Sequence, residues 1–163
     1  MVNTVSSVVR SQMMRSIKNK DTKPELLIRK ALHVRGFRFR LHVKKLPGCP
    51  DIVLPRYKVV VLVNGCFWHG HHCCLSQTPK TRQEFWLCKI SNNMSRDRLV
   101  HEQLRIAGWR LGVVWECAIK GRAKQNLDSV IDDLENWLLD RAALGIEISG
   151  KLSPKLMGTR EGG

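Results

Sequence analysis

The chain has 163 residues, 43% hydrophobic and 6% aromatic, with 28 Lys and Arg against 14 Asp and Glu. That length allows one domain with a real core plus short arms, and the composition excludes a disordered chain. No apolar run reaches the ~20 residues of a membrane span, and no basic leader with an apolar core opens the sequence, so a cytoplasmic protein with no membrane partner is expected.

The charge is polarised. Residues 1–58 carry 14 basic and 3 acidic side chains, whereas 59–163 carry 14 and 11. A basic surface can serve solubility alone, but this asymmetry fits a polyanion engaged mainly by the N-terminal part, with counterions released from its phosphates. The six cysteines, at 49, 66, 73, 74, 88 and 117, are expected to stay reduced, so their clustering points to metal rather than disulfides.

Residues 1–20 scatter apolar and basic positions and read as an arm that orders on a partner. At Asp21-Thr22-Lys23-Pro24-Glu25 a helix begins, with Thr22 as cap, Pro24 in the first turn and Glu25 closing a Thr-x-x-Glu box. Leu27, Ala31 and Val34, flanked by Ile28 and Leu32, form a core stripe that ends at Gly36. Phe37 to Leu41 alternates as a half-buried strand with a basic outer face, and Leu46-Pro47-Gly48-Cys49-Pro50 is a turn. Asp51 opens a short strand, Ile52-Val53-Leu54, that Pro55 stops; Val59 to Val63 is a central strand covered on both faces. A long helix runs from Arg82 to Ala107 with Trp86, Ile90, Met94 and Leu104 near one face, and Gly108 ends it. Trp109 to Trp115 is another strand, and Leu127, Val130, Ile131, Leu134, Trp137 and Leu138 make a last amphipathic helix with an acidic outer face. Glycine-rich residues 145–163 read as a mobile tail. The reading is an arm (1–20), one α/β domain with a mixed sheet (21–144) and a tail (145–163).

Between Cys66 and Cys74, three cysteines and three histidines fall within nine positions, just past the central strand. Tetrahedral zinc needs four such ligands. Cys66, His71 and Cys73 can come from this loop and Cys117 from the end of the next strand, although spacing leaves Cys74 and His72 as competitors. More candidates exist than zinc requires, so His69 is either a spare general base or itself a ligand. Asp51, with Glu25 on the preceding helix, could hold Mg²⁺ against a phosphate; an Asp after a proline is otherwise a turn residue. Phe67 and Trp68 in this loop are either core or wedges that unstack bases.

These segments together resemble the very short patch repair (Vsr) endonuclease family, relatives of the restriction-endonuclease-like nucleases. The resemblance runs from Met14-Arg15-Ser16-Ile17 and Asp21-Thr22 through Leu46-Pro47-Gly48-Cys49-Pro50-Asp51 and Gly65-Cys66-Phe67-Trp68-His69. It continues through Thr81-Arg82-Gln83-Glu84-Phe85-Trp86, Lys89-Ile90, Arg96-Asp97-Arg98 and Gly108-Trp109-Arg110 to Trp115-Glu116-Cys117-Ala118. It implies a restriction-endonuclease-like sheet flanked by helices and stabilised by structural zinc on Cys66, His71, Cys73 and Cys117. Asp51 would bind catalytic Mg²⁺ with the Val63 backbone carbonyl, and Glu25 would support it through metal-bound water. His69 would activate the attacking water and Asp97 would orient its ring. Phe67, Trp68 and Trp86 would insert beside a mismatch, and the arm around Met14 and Arg15 would embrace the duplex from its minor-groove side. The implied activity is a nick 5′ of the T in a T·G mismatch in double-stranded DNA, by a monomer that can meet general mismatch-repair proteins. Two departures stand out: no Glu-x-Lys follows Asp51, as in the family, and Asn64 stands where some members carry a second histidine. The competing classes are a non-catalytic zinc-binding DNA module and a restriction or resolvase nuclease of the same fold.

Overall fold

The computed structural model describes residues 8, 9, 11, 12 and 19–151. Helix α1 spans Lys23–Val34. Its start follows from a few side chains: the Glu25 N–H donates to Thr22 Oγ1 at 3.4 Å, Thr22 Oγ1 donates to Glu25 Oε1 at 3.0 Å, and Asp21 N–H donates to Glu25 Oε2 at 2.9 Å. The expected capping box is therefore present, closed one residue outside the cap. At the other end Gly36 turns the chain at φ +89°, and the Phe37 N–H reaches back to the Leu32 carbonyl at 3.0 Å.

The buried stripe of α1 is Glu25, Ile28, Arg29 and Leu32. This corrects the expected stripe, because Leu27 and Val34 are 43% and 78% exposed. The apolar pattern alone supports two faces a residue apart, and the Glu25–Arg29 ion pair at 2.7 Å decides between them by letting a charged turn be buried.

The sheet has the order β1-β2-β3-β4-β5. Strand β1 is only Arg40–Leu41, shorter than the expected Phe37–Leu41, because its partner β2 (Ile52–Leu54) has just three residues between Asp51 and Pro55. Phe37 packs against Tyr57 instead, with ring centroids 5.6 Å apart. Strand β3 (Val59–Asn64) runs antiparallel to β2 and is buried throughout, as its uninterrupted apolar run predicts. Val59, Val61 and Val63 join the core under α1, whereas Val60 and Leu62 join a second cluster with Leu104.

Helix α2 (Gln83–Ile106) carries the chain to β4 (Arg110–Trp115), which pairs parallel with β3. Leu104 is the one buried residue of α2. Trp86, Ile90 and Met94, expected on a core face, are half-buried, since the N-terminal part of α2 packs on the His/Cys loop and not on the sheet. Helix α3 (Leu127–Leu139) buries Val130, Ile131, Leu134, Trp137 and Leu138 as expected. Arg110 at the start of β4 donates to the carbonyls of Trp137, Leu138 and Asp140, which the end of α3 leaves without helical partners, and to that of Ala143 beyond it.

Residues 145–148 are not a tail. Gly145–Ile148 forms β5, parallel to β4, with Ile148 4% exposed in the main core. A Cβ at Gly145 would stand 3.1 Å from the Leu111 carbonyl oxygen, a close approach that a bare Cα avoids. Among the described residues no helix is long and apolar enough to cross a membrane. The architecture is α/β with a mixed five-stranded sheet, α1 and α3 on one face and α2 on the other.

Candidate metal and catalytic centre

Parallel pairing sets Asn64 of β3 opposite Trp115 of β4. Two residues past each lies a cysteine, so Cys66 and Cys117 leave the sheet at the same height. The loop after Cys66 turns back through His69 N–H to the Gly65 carbonyl at 3.2 Å and His71 N–H to the Cys66 carbonyl at 3.0 Å. Gly70 holds φ +65°, and a Cβ there would stand 2.5 Å from Met94 Sδ, so glycine suits the turn that lays the loop against α2.

This folding brings together the ligand atoms of Cys66, His71, Cys73 and Cys117, all within 4.8 Å of one another. Backbone N–H groups donate to three of the sulfurs: Cys117 to Cys66 at 3.4 Å, Leu75 to Cys73 at 3.3 Å and Gly150 to Cys117 at 3.2 Å. Burial pushes the Cys66 and Cys117 thiols up, so without a cation they resist ionisation, while burial holds His71 below its ordinary value and keeps it an acceptor. The His71 ring also stacks on Trp115 at 4.3 Å and 12°. Three sulfurs and one imidazole at this spacing are the donor set of a tetrahedral soft-metal site. Cys74, His72 and His69 stay outside it.

His69 is instead turned toward α2, where its Nδ1 lies 2.5 Å from Asp97 Oδ2. The carboxylate can only accept, so the ring's hydrogen is on Nδ1 and Nε2 is left as a base. Asp51, at the mouth of β2, accepts the Val63 N–H through Oδ2 at 2.8 Å. Its carboxyl is pushed up to about 6, chiefly by burial, against the Val63 hydrogen bond; Glu25 adds to the rise, and His42 and Arg29 oppose it. A buried carboxyl so reluctant to ionise is one that a divalent cation would stabilise.

Glu25 is 2% exposed, and both its oxygens are engaged, Oε1 by Thr22 and Oε2 by the Asp21 N–H and Arg29. Arg29 and His42 were not among the expected site residues. Arg29 could have been found from its i,i+4 spacing to Glu25; His42, a single histidine after a strand, carries no pattern.

The aromatic residues form a compact group. Phe67, Trp68 and Trp86 lie edge to face with centroids 5.0 to 6.0 Å apart, all half-buried. Lys89 Nζ stands 5.5 Å over the Trp68 ring. Neither the α1 core nor the sheet core includes these rings, which leaves the wedge reading open to them. Met14 and Arg15 lie outside the described residues.

Residues 3–75 match the model of the family described as DNA mismatch endonuclease Vsr. The DNA mismatch endonuclease Vsr of Escherichia coli K12 is 41% identical over 143 residues, 88% of this chain and 92% of that protein. Two proteins named Type II nicking enzymes are equally similar: V.XorIIP of Xanthomonas oryzae is 42% identical over 81% of this chain and 98% of its own length. V.NmeAIP of Neisseria meningitidis is 41% identical over 83% and 99%. Similarity at this level over nearly whole chains, laid on an α/β fold with a Cys/His cluster, places the protein: it belongs to the Vsr family of DNA mismatch endonucleases and is a DNA-nicking endodeoxyribonuclease.

Proposed function

We propose that the enzyme nicks one strand of double-stranded DNA 5′ of the T in a T·G mismatch, by hydrolysis of a phosphodiester in a restriction-endonuclease-like domain. The observation that carries the catalytic reading is the His69–Asp97 pair, with His69 outside the Cys66/His71/Cys73/Cys117 cluster. In this reading Cys66, His71, Cys73 and Cys117 would hold zinc, and with it the loop. Asp51 and the Val63 backbone carbonyl would hold Mg²⁺, which would supply charge stabilisation at the attacked phosphate.

The chain's own residues do the rest. Asp97 accepts from Nδ1 of His69, which leaves Nε2 to take the proton of the attacking water. Asp51 presents a carboxylate anchored by the Val63 N–H. Glu25 is a supporting residue whose charge is felt at Asp51. Asn64, buried at the end of β3, has no acidic proton to give, so the leaving oxygen is protonated from solvent. Phe67, Trp68 and Trp86 insert beside the mismatch. A wobble pair stacks less well than a matched pair, so prying it open costs less there and the difference becomes selectivity. The arm at residues 1–20, with Met14 and Arg15, embraces the duplex from the minor groove, and residues 21–144, extended by β5, form the nuclease body. The protein acts as a monomer in the cytoplasm at the nucleoid, with general mismatch-repair proteins as expected partners.

The test is a nicking assay with Mg²⁺ on T·G and matched duplexes of the same sequence. Nicking confined to T·G and abolished by Asp51→Ala and His69→Ala is expected. Equal cutting of matched DNA would instead indicate a restriction-type nuclease, and unchanged rates in both variants would overturn the residue roles.

A further inference from the structure

Around Glu25 gather three side chains that have a part in no step described so far: Asp21, Arg29 and His42. Arg29 projects from α1 with its side chain 8% exposed, and its guanidinium bridges three groups. Nη1 lies 2.6 Å from Asp21 Oδ1, and Nη2 lies 2.7 Å from Glu25 Oε2 and 2.8 Å from His42 Nε2. Asp21, Glu25 and His42 have the proximity of a metal triad, but the guanidinium already fills its centre. The contact with His42 is the informative one. A guanidinium has five donors and no acceptor, so a nitrogen at 2.8 Å from it must be the accepting one. The single ring hydrogen is then on Nδ1.

That nitrogen faces Asp51, with Nδ1 4.0 Å from Asp51 Oδ1. The other Asp51 oxygen is already taken by the Val63 N–H. Oδ1 is therefore the oxygen left for an ion, and His42 holds a donor on that side at a range where one intervening oxygen is shared. His42 sits at φ +46°, a left-handed conformation uncommon for an L residue, which turns its ring from the end of β1 toward α1 and Asp51. The charged groups around the ring are Arg29 and Glu25 from α1, Asp21 before it and Asp51 at the mouth of β2.

We propose that His42 is a further positioning residue of the catalytic centre, locked by Arg29 in the Nδ1–H tautomer so that it donates toward Asp51 Oδ1 and orients that carboxylate and its ligand shell for the divalent ion. Arg29 thus acts at a distance: it keeps a donor, and not a second base, beside the carboxylate. The proposal rests on the reading of Asp51 as the ion's ligand.

The test uses the full chain and three variants at His42, whose 20% exposed side chain allows substitution without opening the core. Long-range ¹⁵N–¹H spectra of the metal-free protein report which ring nitrogen carries hydrogen, and Nδ1 is expected. Calcium or magnesium chloride is then titrated while the Val63 amide, bonded to Asp51, reports ion binding. His42→Ala should weaken the ion about tenfold, the usual scale for losing a group that orients a metal ligand. His42→Asn, whose amide nitrogen stands in for Nδ1, should stay within about threefold of wild type on that same scale. His42→Gln, which keeps a partner for Arg29 but not the Nδ1 donor, should behave like alanine. Hydrogen on Nε2, wild-type ion affinity in His42→Ala, or Gln matching Asn would each overturn the proposal. Asp51→Asn separates the two levels: if it keeps both ion binding and nicking, the reading of Asp51 fails, whereas if it loses them while His42→Ala is silent, only the role of His42 fails.

Discussion

Replacing Asp97 by alanine isolates the step on which the catalytic reading turns. In the folded protein Asp97 Oδ2 lies 2.5 Å from His69 Nδ1, and the two side chains are 21% and 24% exposed. At that exposure water can replace part of the lost hydrogen bond, so the variant should fold normally; the loss is orientation. Without the carboxylate the ring can turn and can carry its hydrogen on either nitrogen, so only part of the population presents Nε2 as a base. General-base contributions are typically about 10²- to 10⁴-fold, and a residue acting only through the base should cost the lower end, about 100-fold or ~2.7 kcal/mol of barrier. Single-turnover nicking of a T·G duplex at saturating protein measures this without interference from product release. His69→Ala should lose as much or more, and the double variant should be no slower than His69→Ala alone, because Asp97 has nothing to orient once the ring is gone. Additive losses would mean that Asp97 acts on something other than His69, and the pair would then have no catalytic meaning.

Asp51 should leave a pH signature in the metal-free protein. Its folded value of about 6 lies above the ordinary 3.8, so its stabilising effect is present below pH 4 and is lost as pH rises through 6. Denaturant unfolding should therefore show wild type losing roughly 3 kcal/mol relative to Asp51→Asn between pH 4 and 7; a flat difference would show that burial does not perturb this carboxyl. Cys117→Ser should lose bound zinc, measured by atomic absorption, together with nicking, while Cys74→Ser and Cys88→Ser keep both; equimolar zinc in Cys117→Ser would remove it from the ligand set. Trp68→Ala should weaken binding to a T·G duplex by roughly 1–3 kcal/mol, the usual worth of a base stacked on an aromatic ring. Anisotropy titrations should show matched duplex unaffected, and equal weakening on both would make Trp68 a structural residue.

What could be read from the residues alone was whatever depends on local pattern. Val59 to Val63 announces a two-sided strand because nothing polar interrupts it, and Leu127 to Leu138 announces a helix because its apolar positions keep one face. Where two neighbouring patterns compete, tertiary pairing decides. In α1 the Leu27/Val34 face loses to Ile28/Leu32 once Glu25 and Arg29 neutralise each other. The length of β1 depends on the three residues of β2, which sit in another part of the chain. Strand β5 was invisible because glycine suggests a tail until β4 offers it a partner. At the site, spacing alone left Cys74 and His72 as competitors; the resemblance named Cys66, His71, Cys73 and Cys117, and it is the loop's path that brings the ligand atoms of those four together. His42 could not be found at all, since its meaning comes from Arg29 and Asp51, thirteen and nine residues away.

The loop after β3 raises a physical question that the proposed zinc answers. Residues 65–82 carry neither helix nor strand, a length at which a loop without its own structure is usually mobile or functional. Its contacts run mostly to one helix: the Phe67 and Trp68 rings on Trp86, the Trp68 carbonyl on the Asn93 amide and Gly70 on Met94, with His71 on Trp115 of β4 besides. Proton transfer asks that an imidazole be placed to a fraction of an ångström, and such contacts place the loop only as well as side chains of α2 do. The cluster changes this because its members come from different depths of the chain. Cys66 and Cys117 stand on strand ends whose register is set by the buried β3–β4 ladder, and an ion joining them to His71 and Cys73 would tie the loop to the most rigid part of the sheet. His69 lies between two of those ligands in sequence, so its backbone would be fixed from both sides, while its ring is fixed independently by Asp97 from α2. Orientation and position are thus supplied by separate elements. It follows that stripping the ion should disable nicking while the β3–β4 ladder, whose valines need no metal to stay buried, remains folded.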